Sequence, residues 1–369
     1  MSTESKEQSG KGLGIVVALT TTIALVLIGA LVYFTLFQGV ANAELKDQSN
    51  FVAASVIEDA AAPGYTIYLD TSAYPGAVQA QAKVFTEFGL PVEYLPFATL
   101  DGMRFTGWYT GPADNINAVR VDNNSLYLLE MDTNQTLYAR FEPRPTSTDY
   151  SDQGLPILMY HYFYDRDLGE NGEDANWMDI HLFESHLAYL QSQNYYYPTW
   201  EEAVAYIRGE IVLPQPSIML TSDDGHESFF RLAMPLVFQY NAKMTSFIIL
   251  SGYQSEMYAD IDQSRIFIQS HSFSMHEGGY DGDARILTAS YEDIYNDAVT
   301  CGQILGNTLV YCYPFGKTNT LARQALSDAG VGVALVIEHD TAYPLCDPMA
   351  VPRLRMNDGS DVDFLISIL

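Results

Sequence analysis

Three short stretches of this 369-residue chain carry side chains that packing alone does not require. Asp223-Asp224-Gly225 follows the apolar run Ser217 to Ser222. Adjacent carboxylates leave a strand end in different directions, so one can bind a metal while its neighbour acts as a base. His271-Ser272-Phe273-Ser274-Met275-His276 puts two imidazoles on either side of a turn after the strand-like RIFIQS. Two imidazoles and one carboxylate with an open position form a usual donor set for a catalytic divalent ion. Tyr313-Pro314-Phe315-Gly316 is a rigid turn after TLVYC and can aim a backbone N–H at a developing oxyanion. Zinc is the expected ion, and cobalt or nickel suits the same ligands.

These stretches need a scaffold that gathers strand ends. From Leu155 the chain alternates apolar strand-like runs (PILMYHYF, SIMLTS, MTSFIIL, RIFIQS, TLVYC, VGVALVIEH, Val351 to Met356) with helical spacing over Phe183–Gln193, Trp200–Arg208, Phe229–Tyr240, Tyr291–Leu305 and Thr320–Ala329. That alternation predicts an α/β fold with a parallel sheet or a (β/α) barrel, its working residues at the strands' C-terminal ends.

In this setting the order of the blocks resembles the polysaccharide deacetylases of the NodB-homology type, carbohydrate esterase family 4. Thr221-Ser222-Asp223-Asp224-Gly225 stands where the family has TFDDG, and the His271–His276 block is one residue longer than its histidine motif. Cys312-Tyr313-Pro314-Phe315-Gly316 replaces its Arg-x-Pro-Tyr block. With Leu158-Met159-Tyr160-His161, these departures are similar to the poly-N-acetylglucosamine deacetylase subgroup. The resemblance spans residues 155–369 and implies a distorted (β/α) barrel of NodB type. It implies Asp223 as general base, with Asp224, His271 and His276 as metal ligands. His161 becomes the general acid, the Phe315 N–H lines the oxyanion hole, and Tyr313 and Pro314 lie on the substrate side. The missing family arginine leaves Arg353 or Arg355 to orient Asp223. His339 comes too early in the chain to be the acid, and His181, His186 and His226 read as surface or helix residues.

The implied activity is metal-dependent N-deacetylation of GlcNAc residues in poly-N-acetylglucosamine or peptidoglycan. Two alternatives are a catalytically silent surface protein that binds glycan or a partner, and a polysaccharide O-acetyl esterase. Nucleic acid is excluded as a partner: 46 Asp+Glu against 18 Lys+Arg give a net charge of −28, which repels phosphate backbones.

Upstream, Leu13 to Phe37 runs without a charge and is long enough to span a bilayer. It predicts a single-pass anchor with a cytoplasmic N-terminus at 1–12 and everything later on the extracytoplasmic side. Ala41-Asn42-Ala43 offers the alternative of cleavage after Ala43 and secretion. Residues 38–64 read as a stalk and 143–154 as a linker stiffened by Pro143 and Pro145. Between them, YTIYLD, Phe105-Thr106-Gly107-Trp108-Tyr109-Thr110 and Thr136 to Phe141 resemble a Listeria–Bacteroides repeat, a β-rich, β-grasp-like module over 65–142, with Trp108 read as its core. Cys301, Cys312 and Cys346 read as three small thiols, with Cys312–Cys346 the alternative pair.

Overall fold

The computed structural model describes residues 64–87, 94–121, 133–147, 154–252, 258, 261–278 and 284–369. The expected anchor and stalk lie outside these residues. No helix among the described residues is long and apolar enough to cross a membrane.

The first sheet contains β1 (Gly64–Asp70), β3 (Lys83–Glu87), β5 (Met103–Tyr109), β6 (Arg120–Val121) and β7 (Gln135–Pro143), in the order β3-β1-β7-β5-β6. Its β1–β7 pair is parallel and the other pairs antiparallel. The short strands β2 (Val78–Gln79) and β4 (Ala98–Thr99) pair beside it. Alternation decides which face is buried: Ile67, Leu69, Phe105, Leu137, Ala139 and Phe141 point into a core. Trp108 is 3% exposed, edge-on to Phe105, and its indole N–H donates to Pro96 O at 2.8 Å, so it offers no surface to a ligand.

The rest of the chain closes a seven-stranded, all-parallel barrel. Its strands are β8 (Ile157–Tyr160), β11 (Met219–Ser222), β12 (Met244–Ile248), β13 (Ile266–Ser270), β14 (Val310–Cys312), β15 (Val333–His339) and β16 (Val351–Arg355). Here β16 pairs with β8, and β8 with β11, which completes the ring. The run PILMYHYF breaks at His161: β9 (Tyr162–Tyr164) leaves the barrel and pairs with β10 (Trp177–Asp179). Both faces of β8, β11 and β12 are buried, which is why these strands read as continuous apolar runs. Helices α1 (Ile180–Ser192), α2 (Trp200–Ile207), α3 (Met234–Gln239), α4 (Arg285–Thr288), α5 (Tyr291–Leu305), α6 (Thr320–Asp328) and α7 (Val362–Ile368) cover it. Helix α2 starts with a capping box, in which the Thr199 hydroxyl accepts from Glu202 N and the Glu202 carboxylate accepts from Thr199 N.

The two sheets share one apolar cluster. Phe105, Trp108 and Val121 of the first sheet pack with Trp200, Tyr206, Ile211 and Leu213. The same cluster takes in Ile157, Met219, Val310, Val333 and Val351, the first residues of barrel strands. Backbone bonds seal the contact: Phe105 N–H donates to Glu210 O and Val212 N–H to Phe105 O, both at 2.8 Å. Arg120 adds donations to Val212 O and Leu213 O. Arg144, in the expected linker, donates from its backbone to Gly102 O and from its guanidinium to Arg208 O, so this part of the linker is fastened at both ends.

Candidate active site

At the C-terminal end of β11 the backbone turns left-handed, with Asp224 at φ 72° and Gly225 at φ 68°. A Cβ at Gly225 would come within 2.4 Å of Ile248 Cγ2, so the turn requires glycine on both counts. The turn sends the two carboxylates to different partners. Asp223 points into the barrel and accepts a bidentate pair from Arg353, Nη1 to Oδ1 at 2.8 Å and Nη2 to Oδ2 at 2.7 Å. Both groups are buried, and Arg353 also donates to Val336 O and Thr221 Oγ1. Burial pushes the Asp223 carboxyl up, but the guanidinium overrides it and holds the group at about 2. Arg355 lies elsewhere and donates to Asn176 Oδ1.

Asp224 faces the histidines. Its Oδ1 lies 3.2 Å from His271 Nε2 and 3.3 Å from His276 Nε2. Its Oδ2 accepts from the Tyr162 hydroxyl. His271 Nδ1 lies 3.0 Å from Cys312 O. A carbonyl only accepts, so the proton sits on Nδ1 and the Nε2 lone pair faces Asp224. The histidine turn is pinned from below by Asp297 of α5, whose buried carboxylate accepts from Phe273 N at 3.0 Å, Ser274 N at 2.7 Å and Tyr311 Oη at 3.2 Å.

Asp224, His271 and His276 can each offer one ligand atom, all within 4.8 Å of one another. One carboxylate oxygen and two neutral imidazole nitrogens, with Tyr162 and Cys312 O holding the ligands from behind, fit a divalent ion of the zinc, cobalt or nickel type. Asp223, His271 and Cys312 also converge, but the Asp223 oxygens are committed to Arg353. A third group, Asp165, Asp167 and His181, lies at the start of the chain's excursion after β9.

His161 follows β8 directly. Its carbonyl accepts from Ser222 Oγ at 2.8 Å, and its Nδ1 is buried with no hydrogen-bond partner among the described residues. Burial lowers the imidazole pKa while the charges of Asp223 and Asp224 pull it back up, which puts His161 beside the same two carboxylates. Phe315 sits at φ 56° after β14, and its ring lies 4.5 Å from that of His276. Gly316 follows at φ 62°, where a Cβ would meet Ile337 Cβ at 2.3 Å. The left-handed pair holds the turn against β15.

The expected substrate contacts at Tyr313 and Pro314 need correction. Tyr313 is 0% exposed and its hydroxyl donates to Met349 O, and Pro314 is buried as well. Both shape the turn from inside. His186 lies on α1, as read, but is fully buried between Tyr160 Oη and Ser360 O. His226 packs against Tyr162 and Trp177. His339 is exposed at the end of β15. All three cysteines are free thiols.

Sequence reading missed Tyr162 and Asp297. Tyr162 gave no signal beyond its place after His161. Asp297 did: it shares the buried stripe of α5 with Ile294, Ala298, Cys301 and Leu305, where a carboxylate has no business without partners.

Residues 211–334 match the family model "Polysaccharide deacetylase", a span that contains Asp223, Asp224, His271, His276 and Phe315. The poly-β-1,6-N-acetyl-D-glucosamine N-deacetylase of Staphylococcus aureus (strain MRSA252) is 21% identical over 195 residues, covering 48% of this chain and 67% of the relative. YxkH of Bacillus subtilis (strain 168) is 24% identical over 213 residues, covering 56% and 72%. Among solved structures, the Streptococcus pyogenes deacetylase PplD superposes with a TM-score of 0.49 at 18% identity, over 59% of this chain and 98% of its own.

Proposed function

We propose, from the premise that this chain carries a polysaccharide deacetylase domain and is a hydrolase of that family, that it removes acetyl groups from GlcNAc residues of an extracellular polysaccharide. The observation that carries the proposal is the convergence of Asp224, His271 and His276 beside the Arg353-bound Asp223, at the C-terminal mouth of the barrel. Poly-N-acetylglucosamine and peptidoglycan are the candidate polymers, and the name of the Staphylococcus aureus relative supports the first. The apolar Leu13 to Phe37 supports a barrel anchored on the outer face of the cell membrane.

The division of labour follows from the geometry. Arg353 keeps Asp223 ionised and aligned, so that it accepts the proton of a water attacking the acetyl carbon. A divalent ion on Asp224, His271 and His276 supplies acidified water and a polarised acetyl carbonyl, which a base as weak as Asp223 requires. The Phe315 N–H is the donor assigned to the tetrahedral oxyanion. His161 hands a proton to the leaving amine, which is too basic to depart unprotonated.

The test is to incubate the full chain, loaded in turn with zinc, cobalt and nickel, with β-1,6- and β-1,4-linked GlcNAc oligomers and with peptidoglycan, and to measure free amine and acetate. Equal release of both, lost in Asp223→Asn, is expected. Acetate from an O-acetylated glycan with no amine from any substrate would make the chain an esterase. No release from a folded, metal-binding chain would leave only a binding role.

A further inference from the structure

The outer face of the first sheet carries a feature that deacetylation does not use. A concavity of about 430 Å³ is lined there by Arg104, Thr106 and Tyr109 of β5, Arg120 of β6, Arg140 and Glu142 of β7, and flanking Tyr74 and Val212. Register makes this a single surface: Arg104 pairs with Glu142, Gly107 with Arg140 and Tyr109 with Arg120. Three of the chain's 18 basic residues meet here with one carboxylate, in a protein of net charge −28. Chance scatter on so acidic a surface does not favour such a cluster.

The arginines are held in place. Arg104 is bound to Glu142, and Arg120 donates to Val212 O and Leu213 O. Arg140 donates to Pro112 O at 3.1 Å and its guanidinium lies 4.1 Å over the Tyr109 ring. Carbonyls and a ring face orient a guanidinium without cancelling its charge. Fixed, charged forks beside tyrosine rings and a hydroxyl are what an anionic sugar needs: planar oxyanions for the arginines, and a carbohydrate face for the rings. The cavity's size suits a few sugar units.

We infer that this groove binds a glycan chain carrying scattered phosphate or carboxylate groups. Sparse charge follows from the whole molecule: a densely charged polymer meets the repulsion of the surrounding acidic surface, whereas isolated anions feel the groove within a screening length of about 8 Å. The apolar cluster shared with the sheet takes in the first residues of the barrel strands, and the candidate active site lies at their C-terminal ends. The groove is therefore a separate holding site. It keeps the barrel on an anionic polymer while the mouth works on GlcNAc, and it stands whether or not the barrel deacetylates.

The test measures binding of the full chain to a phosphomannan, to hyaluronan and to neutral dextran by biolayer interferometry. At least one charged glycan should bind in 0.15 M salt and dextran should not, and the charged glycan that binds identifies the anion. Arg140→Gln should weaken binding about tenfold, the factor for one charge-assisted hydrogen bond. Thr106→Asp keeps all three arginines, adds a carboxylate to the groove and should weaken binding at least as much. Unchanged melting temperatures and amine release would show that both variants keep the fold. The inference falls if neither charged glycan binds better than dextran, or if both folded variants bind like the parent.

Discussion

Replacing Arg353 by methionine keeps the apolar stem and removes the guanidinium. The structure sets what is lost: both donations to Asp223, one to Val336 O and one to Thr221 Oγ1, in a place where Arg353 is 1% exposed. Asp223 in the parent is depressed to about 2, below an unfolded value near 3.9. A depressed carboxylate contributes stability above its unfolded pKa and loses it as pH falls through the folded one, here between about pH 4 and pH 2. That shift corresponds to roughly 2.5 kcal/mol at neutral pH. In Arg353→Met the burial that pushes the carboxyl up is unopposed, so the contribution changes sign. The total loss at pH 7 should be about 3–5 kcal/mol, the usual cost of stranding one member of a buried pair. That is a fall in Tm of roughly 10 °C by calorimetry. The deficit should shrink as the pH is lowered and Asp223 protonates. The acid limb of kcat/KM should move up by at least one pH unit. Arg353→Met with Asp223→Leu should regain most of the lost Tm, because a well-packed apolar pair replaces a buried ion pair at little cost, while activity stays absent. A single variant within 2 °C of the parent at pH 7, with its acid limb unmoved, would refute the assignment of Arg353 as the group that charges and aligns Asp223.

Three further outcomes follow from other parts of the molecule. A fragment starting at residue 145 uncovers Ile211 and Leu213, which are 2% and 1% exposed, at about 1.5–3 kcal/mol each. It should melt lower than a fragment from residue 64 and bind a hydrophobic dye, and equal melting would show that the first sheet does not support the barrel. Asp297→Ala removes the acceptor of Phe273 N and Ser274 N, so zinc affinity measured against a competing chelator should fall about 10–100-fold. An unchanged affinity would mean that the histidine turn holds itself. Burial raises the Glu202 carboxyl above its ordinary value, so the folded state takes up its proton more readily and loses stability as pH rises above about 4.3. Glu202→Gln should therefore gain Tm relative to the parent as pH rises, reaching a plateau above the folded pKa, and parallel Tm curves across pH 4–9 would refute this.

How far the site could be read in advance depended on whether a residue's role was local. Asp223, Asp224, His271 and His276 are set by turns next to strand ends, and the alternation of apolar strands with helices is enough to say that those ends converge. The parallel barrel brings all four together for the same reason that its strands read as unbroken apolar runs: both faces are covered, and polar chemistry is left only at the mouth. Long-range roles were less legible. Arg353 and Arg355 lie two apart on β16, and alternation puts them in different surroundings. Only the closed ring, in which β16 pairs with β8 and β8 with β11, turns Arg353 inward toward Asp223. Tyr313 and Pro314 failed in the opposite way. A turn can offer a backbone N–H to a site while its side chains face the core, and residue type does not separate the two. The linker was misjudged because prolines and small polar residues describe a chain's stiffness and solubility, not its docking. Phe105 N, Val212 N and Arg120 bond to backbone partners far away in sequence, and backbone atoms carry no sequence signal. A stripe of arginines on an otherwise acidic sheet is legible only once β5, β6 and β7 are side by side, which is why the groove emerges from the fold and not from the order of residues.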